Sequence, residues 1–215
     1  MPAAIFDFDS ALISGPPIPA MFYDFMKRRR MVRARHVWQR RWFFLRYLIR
    51  YRSDVTRYNL AWLGGMRRAD VDVFAEAFVK RKLIDMIRPE MWDRLDRHRM
   101  AGDTLILVGE SPSFMLELMA RELDISLQRG TICAYLGNLY LSAPPTRFLR
   151  GDEKARAISD LLSEQRIDPD ETVAYLRDAA DLPLMNAIGK PVLVSPNRAM
   201  HKLAKARGWD LIENY

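Results

Sequence analysis

The chain has 215 residues, 49% hydrophobic and 28% charged, which describes a globular protein of one or two domains and excludes a disordered one. A single cysteine, Cys133, excludes an internal disulfide framework, and no run of 18 apolar residues is present to cross a membrane as a helix. The net charge of +7 is concentrated in one window: Lys27 to Arg57 holds twelve Lys or Arg against one acid, Asp54, so the rest of the chain is net negative.

The N-terminus carries no basic region ahead of its apolar run, and Asp7 interrupts that run early. No signal peptide is expected, and with the lone cysteine this reads as a cytoplasmic protein. Residues 3 to 8 form a short apolar run that predicts a buried, parallel strand ending at Asp7 and Asp9. In extended chain these two acids point to opposite faces, so both reach one site only if the strand breaks after Asp7. Ser10, Ser14, Gly15, Pro16 and Pro17 predict such a break. Paired carboxylates there suit a nucleophile and a general acid/base; the bland alternative is a turn cap beside one half of an ion pair.

Residues 18 to 100 predict helix nearly throughout. Met21, Phe22, Phe25 and Met26 have helical spacing, as do Val37, Trp38, Phe44, Leu45, Leu48 and Ile49, interleaved with Arg40, Arg41, Arg46 and Arg50. Gly64-Gly65 separates these from a helical stretch at 71 to 87, and Pro89 opens another to Met100. Thr104 to Val108 predicts a second buried strand, followed by Gly109-Glu110-Ser111-Pro112 and a helix through Leu123. Ile132 to Tyr135 and Leu139 to Leu141 predict short strands around Gly137-Asn138. A helix from Gly151, strands at 172 to 176 and 191 to 194, and a last helix at 197 to 206 complete the pattern. Strands alternating with helices from residue 104 onward predict one parallel α/β sheet, residues 1–14 and 101–215, with an all-helical cap inserted at 15–100.

Phe6-Asp-Phe-Asp9, the His98-to-Gly102 approach, Ser111-Pro-Ser-Phe114, Gly151-Asp-Glu-Lys154, Ala174-Tyr175, Asp181-Leu-Pro-Leu-Met185, Gly189-Lys-Pro-Val192 and Arg207-Gly-Trp209 follow one another in order. In that order and spacing the chain resembles the haloacid-dehalogenase superfamily, and within it the phosphoserine-phosphatase-like branch, subclass IB. The resemblance implies a Rossmann-like core and phosphomonoester hydrolysis through an aspartyl-phosphate. It implies Asp7 as nucleophile, Asp9 as acid/base and Lys154 as phosphate-binding lysine. It also implies a Mg2+ site at Asp7, Asp9 and Asp181.

Three positions depart from the family pattern. Ala11 stands in the place of a Thr, Gly109 in the place of a hydroxyl that Ser111 can supply, and Arg177 in the place of a magnesium-site acid. A guanidinium cannot ligate magnesium, so the site is metal-free unless Asp178 takes that role. Arg177 is expected within hydrogen-bonding reach of Asp7, Asp181 or both, and as a substrate-binding residue beside Ser111 and Lys154. Two functional readings stand at this point: a phosphatase acting on a small phosphorylated molecule, or a non-catalytic descendant that binds a phosphorylated ligand or a partner. The basic segment 27 to 57, with its aromatic residues, also suits an anionic membrane surface, against the bland reading of a solvated helix face. No specific nucleic-acid motif accompanies it.

Overall fold

The computed structural model of the protein describes residues 2–213. Its centre is β1 (Ala3–Asp7), buried along all five residues. A strand so apolar needs cover on both faces and neighbours on both edges, and it has them. The sheet has six strands in the order β3-β2-β1-β6-β7-β8, and every pairing within it is parallel. β2 is Thr104–Pro112, β3 Leu127–Thr131, β6 Val173–Leu176, β7 Lys190–Val194 and β8 Asp210–Ile212. A separate two-stranded hairpin pairs β4 (Tyr135–Leu136) with β5 (Leu139–Tyr140).

From β1 the chain runs to β2 on one side and, later, to β6 on the other. The order therefore reverses at β1, and the crevice beyond the carboxyl ends of β1, β2 and β6 is where such a sheet binds ligands. Asp7 lies opposite Val108 of β2, and Phe6 lies opposite Tyr175 of β6. Asp7, Gly109 and the residues after Leu176 thus emerge together.

Between β1 and β2 the elements are helices and helical turns. They include α1 (Ile18–Arg28), α2 (Ala34–Tyr51), α3 (Val55–Tyr58), α4 (Arg68–Phe78) and α5 (Pro89–Ala101). The chain leaves and returns through a narrow neck. Ile13 bridges Ile87, Ser14 N donates to Met86 O at 3.0 Å, and Arg88 N donates to Leu12 O at 3.0 Å. Beyond this neck α5 packs against β2. The insertion and one sheet face share a single core, in which Phe22, Trp62, Phe78 and Met91 meet Phe8, Leu12 and Met115. The other face is covered by α7 (Asp152–Glu164), α8 (Leu182–Ala187) and α9 (Arg198–Arg207), through Ile158, Leu161, Met185 and Met200. α6 (Ser113–Glu122) completes the set.

Three elements differ from the sequence expectation. β2 continues through Gly109 to Pro112, because the backbone there stays extended to meet Asp9. β3 lies at Leu127–Thr131, ahead of the expected strand at 132 to 135; its Leu-Gln-Arg-Gly-Thr sequence is half polar because it is an edge. β8 forms the opposite edge from three residues after Trp209.

Candidate active site

β1 stops at Asp7. The next five residues, Phe8–Leu12, wind into one wide helical turn that Asp7 itself caps: its Oδ1 accepts from the backbone N–H of Ser10 at 2.9 Å and from the Ser10 hydroxyl at 3.1 Å. This is the break that two converging acids require.

The other oxygen of Asp7 meets Lys154. Gly151, at φ +58, turns the chain into α7, and Lys154 in the first turn reaches the crevice. Its Nζ donates to Asp7 Oδ2 at 2.5 Å and to Asp181 Oδ1 at 2.7 Å. All three side chains are buried, Lys154 to 1% exposure. Burial alone pulls the ammonium pKa down, but Asp7 and Asp181 push it up further, so Lys154 stays charged well above the ordinary lysine range. Burial raises Asp181 to about 6, against the downward pull of Lys154 and with a further upward push from Asp7.

Asp9 turns the other way. Its Oδ2 accepts from the Ser111 backbone N–H at 2.9 Å, and its Oδ1 accepts a short hydrogen bond from the Ser111 hydroxyl. Burial and the neighbouring Asp7 charge lift Asp9 to about 7, outweighing the two Ser111 bonds that favour its ionised form. The place of Asp9 depends on Gly109. A Cβ on Gly109 would lie 2.5 Å from Asp9 Oδ2 and 3.1 Å from Phe8 Cβ. Gly109→Ala is therefore expected to dislodge Asp9 from Ser111 and to cost about 1–3 kcal/mol, the usual range for overpacking. A chemical melt measures this, and an unchanged midpoint would mean that Asp9 vacates the space freely.

The expectation for Arg177 is corrected. Among the described residues no hydrogen bond or ion pair joins Arg177 to Asp7 or Asp181. Lys154 stands between those acids instead, because α7 carries it into the crevice already paired. Arg177 is partly buried beyond the end of β6 and lies near Arg88. Burial first, and then the Arg177 charge, lower Arg88 from the ordinary arginine range. Asp178, partly buried, opens the short turn before Asp181 with its backbone carbonyl, which accepts from the Asp181 N–H at 2.9 Å, and its side chain makes no capping bond.

A divalent cation fits this donor set poorly. Asp7 and Asp181 share an ammonium, Asp9 is tied to Ser111, and position 177 is cationic. Among the described residues no group of three or more His, Cys, Asp and Glu side chains is arranged to hold a metal ion.

Sequence reasoning missed Glu110, the residue that ties the insertion to the site. It pairs with Arg150, and Arg57 of α3 donates to its other oxygen at 2.9 Å. Arg57 and Arg150 also approach Asp54, at 3.7 and 3.8 Å. Beside this cluster Tyr58 lies 4.0 Å from Phe148 and 4.1 Å from Tyr51, ring centre to ring centre. The available signal was an acid two residues after the apolar run 105–108, between Gly109 and Ser111.

Comparison with known proteins gives the family and the fold. The family model for haloacid dehalogenase-like hydrolases matches residues 4–186. Phosphoserine phosphatase SerB1 of Mycobacterium tuberculosis is 24% identical over 155 residues, covering 72% of this chain and 50% of that protein. A histidinol-phosphatase of Neisseria meningitidis is 24% identical over 165 residues, 73% of this chain and 72% of that one. The chain spans about half the length of several curated relatives that it matches. Among solved structures, a Bordetella pertussis protein of unknown function superimposes with a TM-score of 0.81 at 21% identity, covering 99% of this chain and 98% of that one. A probable phosphoserine phosphatase from Vibrio cholerae gives 0.68 at 12% identity over 99% and 60% of the two chains. With its sheet, its paired acids at the end of β1 and its buried lysine, the chain belongs to the haloacid dehalogenase-like hydrolase family.

Proposed function

We propose that the protein is a phosphomonoester hydrolase whose substrate is a small phosphorylated molecule. The observation that carries this reading is the division of labour between the two acids of the β1 end. Asp7 is oriented through both oxygens, and Asp9 has its pKa lifted to about 7, which suits a general acid near neutral pH. Lys154 fixes Oδ2 of Asp7 and Ser10 holds Oδ1, so Oδ1 is the attacking atom once substrate draws the Ser10 hydroxyl away from it. In the first step Oδ1 bonds to phosphorus and the ester oxygen leaves, taking the Asp9 proton. In the second, Asp9 as carboxylate takes a proton from water, whose oxygen attacks phosphorus and releases phosphate from Asp7. Arg177 and Lys154 offset the charge on the transferring group, which is most of what catalysis of phosphoryl transfer requires. The insertion, latched through Glu110, serves as the cap over this crevice.

Haloacid-dehalogenase phosphatases generally use Mg2+, and in this chain the ammonium of Lys154, held between Asp7 and Asp181, takes over part of that electrostatic role. The test is phosphate release from a panel of phosphomonoesters, for native protein and Asp7→Asn. Removing the nucleophile should lower turnover by about 10³-fold or more, on the scale of losing one member of a catalytic set. Because the leaving group needs protonated Asp9, the rate of the native protein should fall as pH rises above about 7. Equal release by Asp7→Asn overturns the reading.

A second reading is favoured by Arg177 and by Ser10 and Lys154 engaging both oxygens of Asp7: binding of a phosphorylated ligand without turnover. It predicts a raised melting temperature with phosphomonoesters and no phosphate release.

A further inference from the structure

We propose that α2 docks the protein onto a membrane surface carrying anionic headgroups, with Trp38, Trp42, Leu45 and Ile49 entering the interface. The helix buries only His36 and Phe43 fully, with Tyr47 and Tyr51 packed beside Phe43. At about 100° per residue those side chains share one face. The opposite face should be polar in a surface helix of a water-soluble protein. Instead it carries Trp38, 69% exposed, Trp42, 63%, Leu45, 68%, and Ile49, 91%. Their spacing of four, three and four residues puts them within a sector of about 60°, a continuous stripe along some three turns.

What borders the stripe selects its occupant. α2 contains no acidic residue, and Arg35, Arg41, Arg46 and Arg50 are all exposed on it. Lys27, Arg28, Arg29 and Arg30 form an exposed basic run just before it. The one acid of this segment, Asp54, already faces Arg57 and Arg150. An apolar stripe with tryptophans, flanked by arginines, fits a helix lying in the plane of a membrane interface, rings among the headgroups and guanidiniums against phosphates. No helix among the described residues is long and apolar enough to cross a membrane. A second copy of this chain fits worse: two such stripes face to face would set arginine against arginine, at a cost that anionic lipid avoids. After α2 the chain breaks at Arg52 (φ +47) and turns into α3, whose Arg57 holds Glu110 beside Ser111, so the segment that follows the docking helix reaches the catalytic crevice. The proposal is independent of whether the site turns over substrate.

The experiment is vesicle flotation of the full chain with phosphatidylcholine alone and with phosphatidylcholine plus phosphatidylglycerol, at low and physiological salt. Partitioning should be at least about tenfold stronger on anionic vesicles, and should weaken on the order of fivefold for each arginine of Arg41→Gln and Arg46→Gln. Trp38→Ser/Trp42→Ser removes the insertion while leaving the buried face of α2 intact. It should lose most of the binding with an unchanged melting temperature. No partitioning onto anionic vesicles, equal partitioning onto neutral ones, or full binding by the tryptophan variant each overturns the proposal. So does a concentration-dependent dimer in sedimentation that dissociates in the same variant, which would assign the stripe to a second copy.

Discussion

Lys154→Met should be the most damaging single substitution in the protein, lowering stability by about 3–5 kcal/mol, the cost of leaving buried charge without its partner. For a domain of this size that is a drop in melting temperature of roughly 6–20 °C. The methionine fills most of the volume, so the loss is electrostatic, and its pH dependence identifies it. With the ammonium gone, Asp7 and Asp181 face each other in a site that already holds Asp181 up at about 6. A carboxyl whose folded pKa is raised binds its proton more tightly folded than unfolded. Its contribution to stability is complete below the unfolded value near 4 and is lost as pH rises through the folded value. The gap between variant and native protein should therefore narrow as pH falls from 7 to below 6. Lys154→Met/Asp181→Asn should recover part of the loss at neutral pH by removing one of the two stranded charges. A gap that stays constant with pH would assign the role of Lys154 to packing alone.

The history of this lysine shows what was legible in the sequence. That Asp7, at the end of β1, and Asp181, just beyond the neighbouring β6, need a cation follows from their burial, and the apolar run from Ala3 to Phe6 announces the burial of Asp7. Which cation answers the need does not follow. Arg177 comes directly after a strand neighbouring β1, so chain order favours it; Lys154 comes from a helix 147 residues away from Asp7 in sequence. The approach of α7 is a tertiary fact, set by packing of Ile158 and Leu161 on the far sheet face. Edge strands were hidden for a related reason. β3 and β8 have one paired side and little cover, so their sequences lack the apolar continuity that marked β1 and β2. The tie between the insertion and Glu110 was invisible because it joins three segments far apart in the chain.

Arg177→Asp should raise magnesium binding above that of the native protein. Asp7 and Asp181 are already within reach of one cation, and a third carboxylate beyond β6 would replace the guanidinium that repels a second. The substitution changes the local charge by two units in the direction a divalent ion needs. Native protein should show no thermal stabilisation by magnesium, whereas the variant should gain about 2.7 kcal/mol at a hundredfold excess over its dissociation constant. If the crevice is otherwise competent, phosphate release should rise by about 10²-fold in magnesium, the worth of one well-placed charge-stabilising group in a transition state. Adding Gly109→Ser should not simply add to this gain. Its Cβ would lie 2.5 Å from Asp9 Oδ2, so it must first drive Asp9 from Ser111. That combination should therefore cost stability even if the released Asp9 turns toward substrate. Magnesium stabilisation of the native protein to the same degree, abolished by Asp178→Asn, would assign the third carboxylate to Asp178 and make Arg177 a bystander to metal binding.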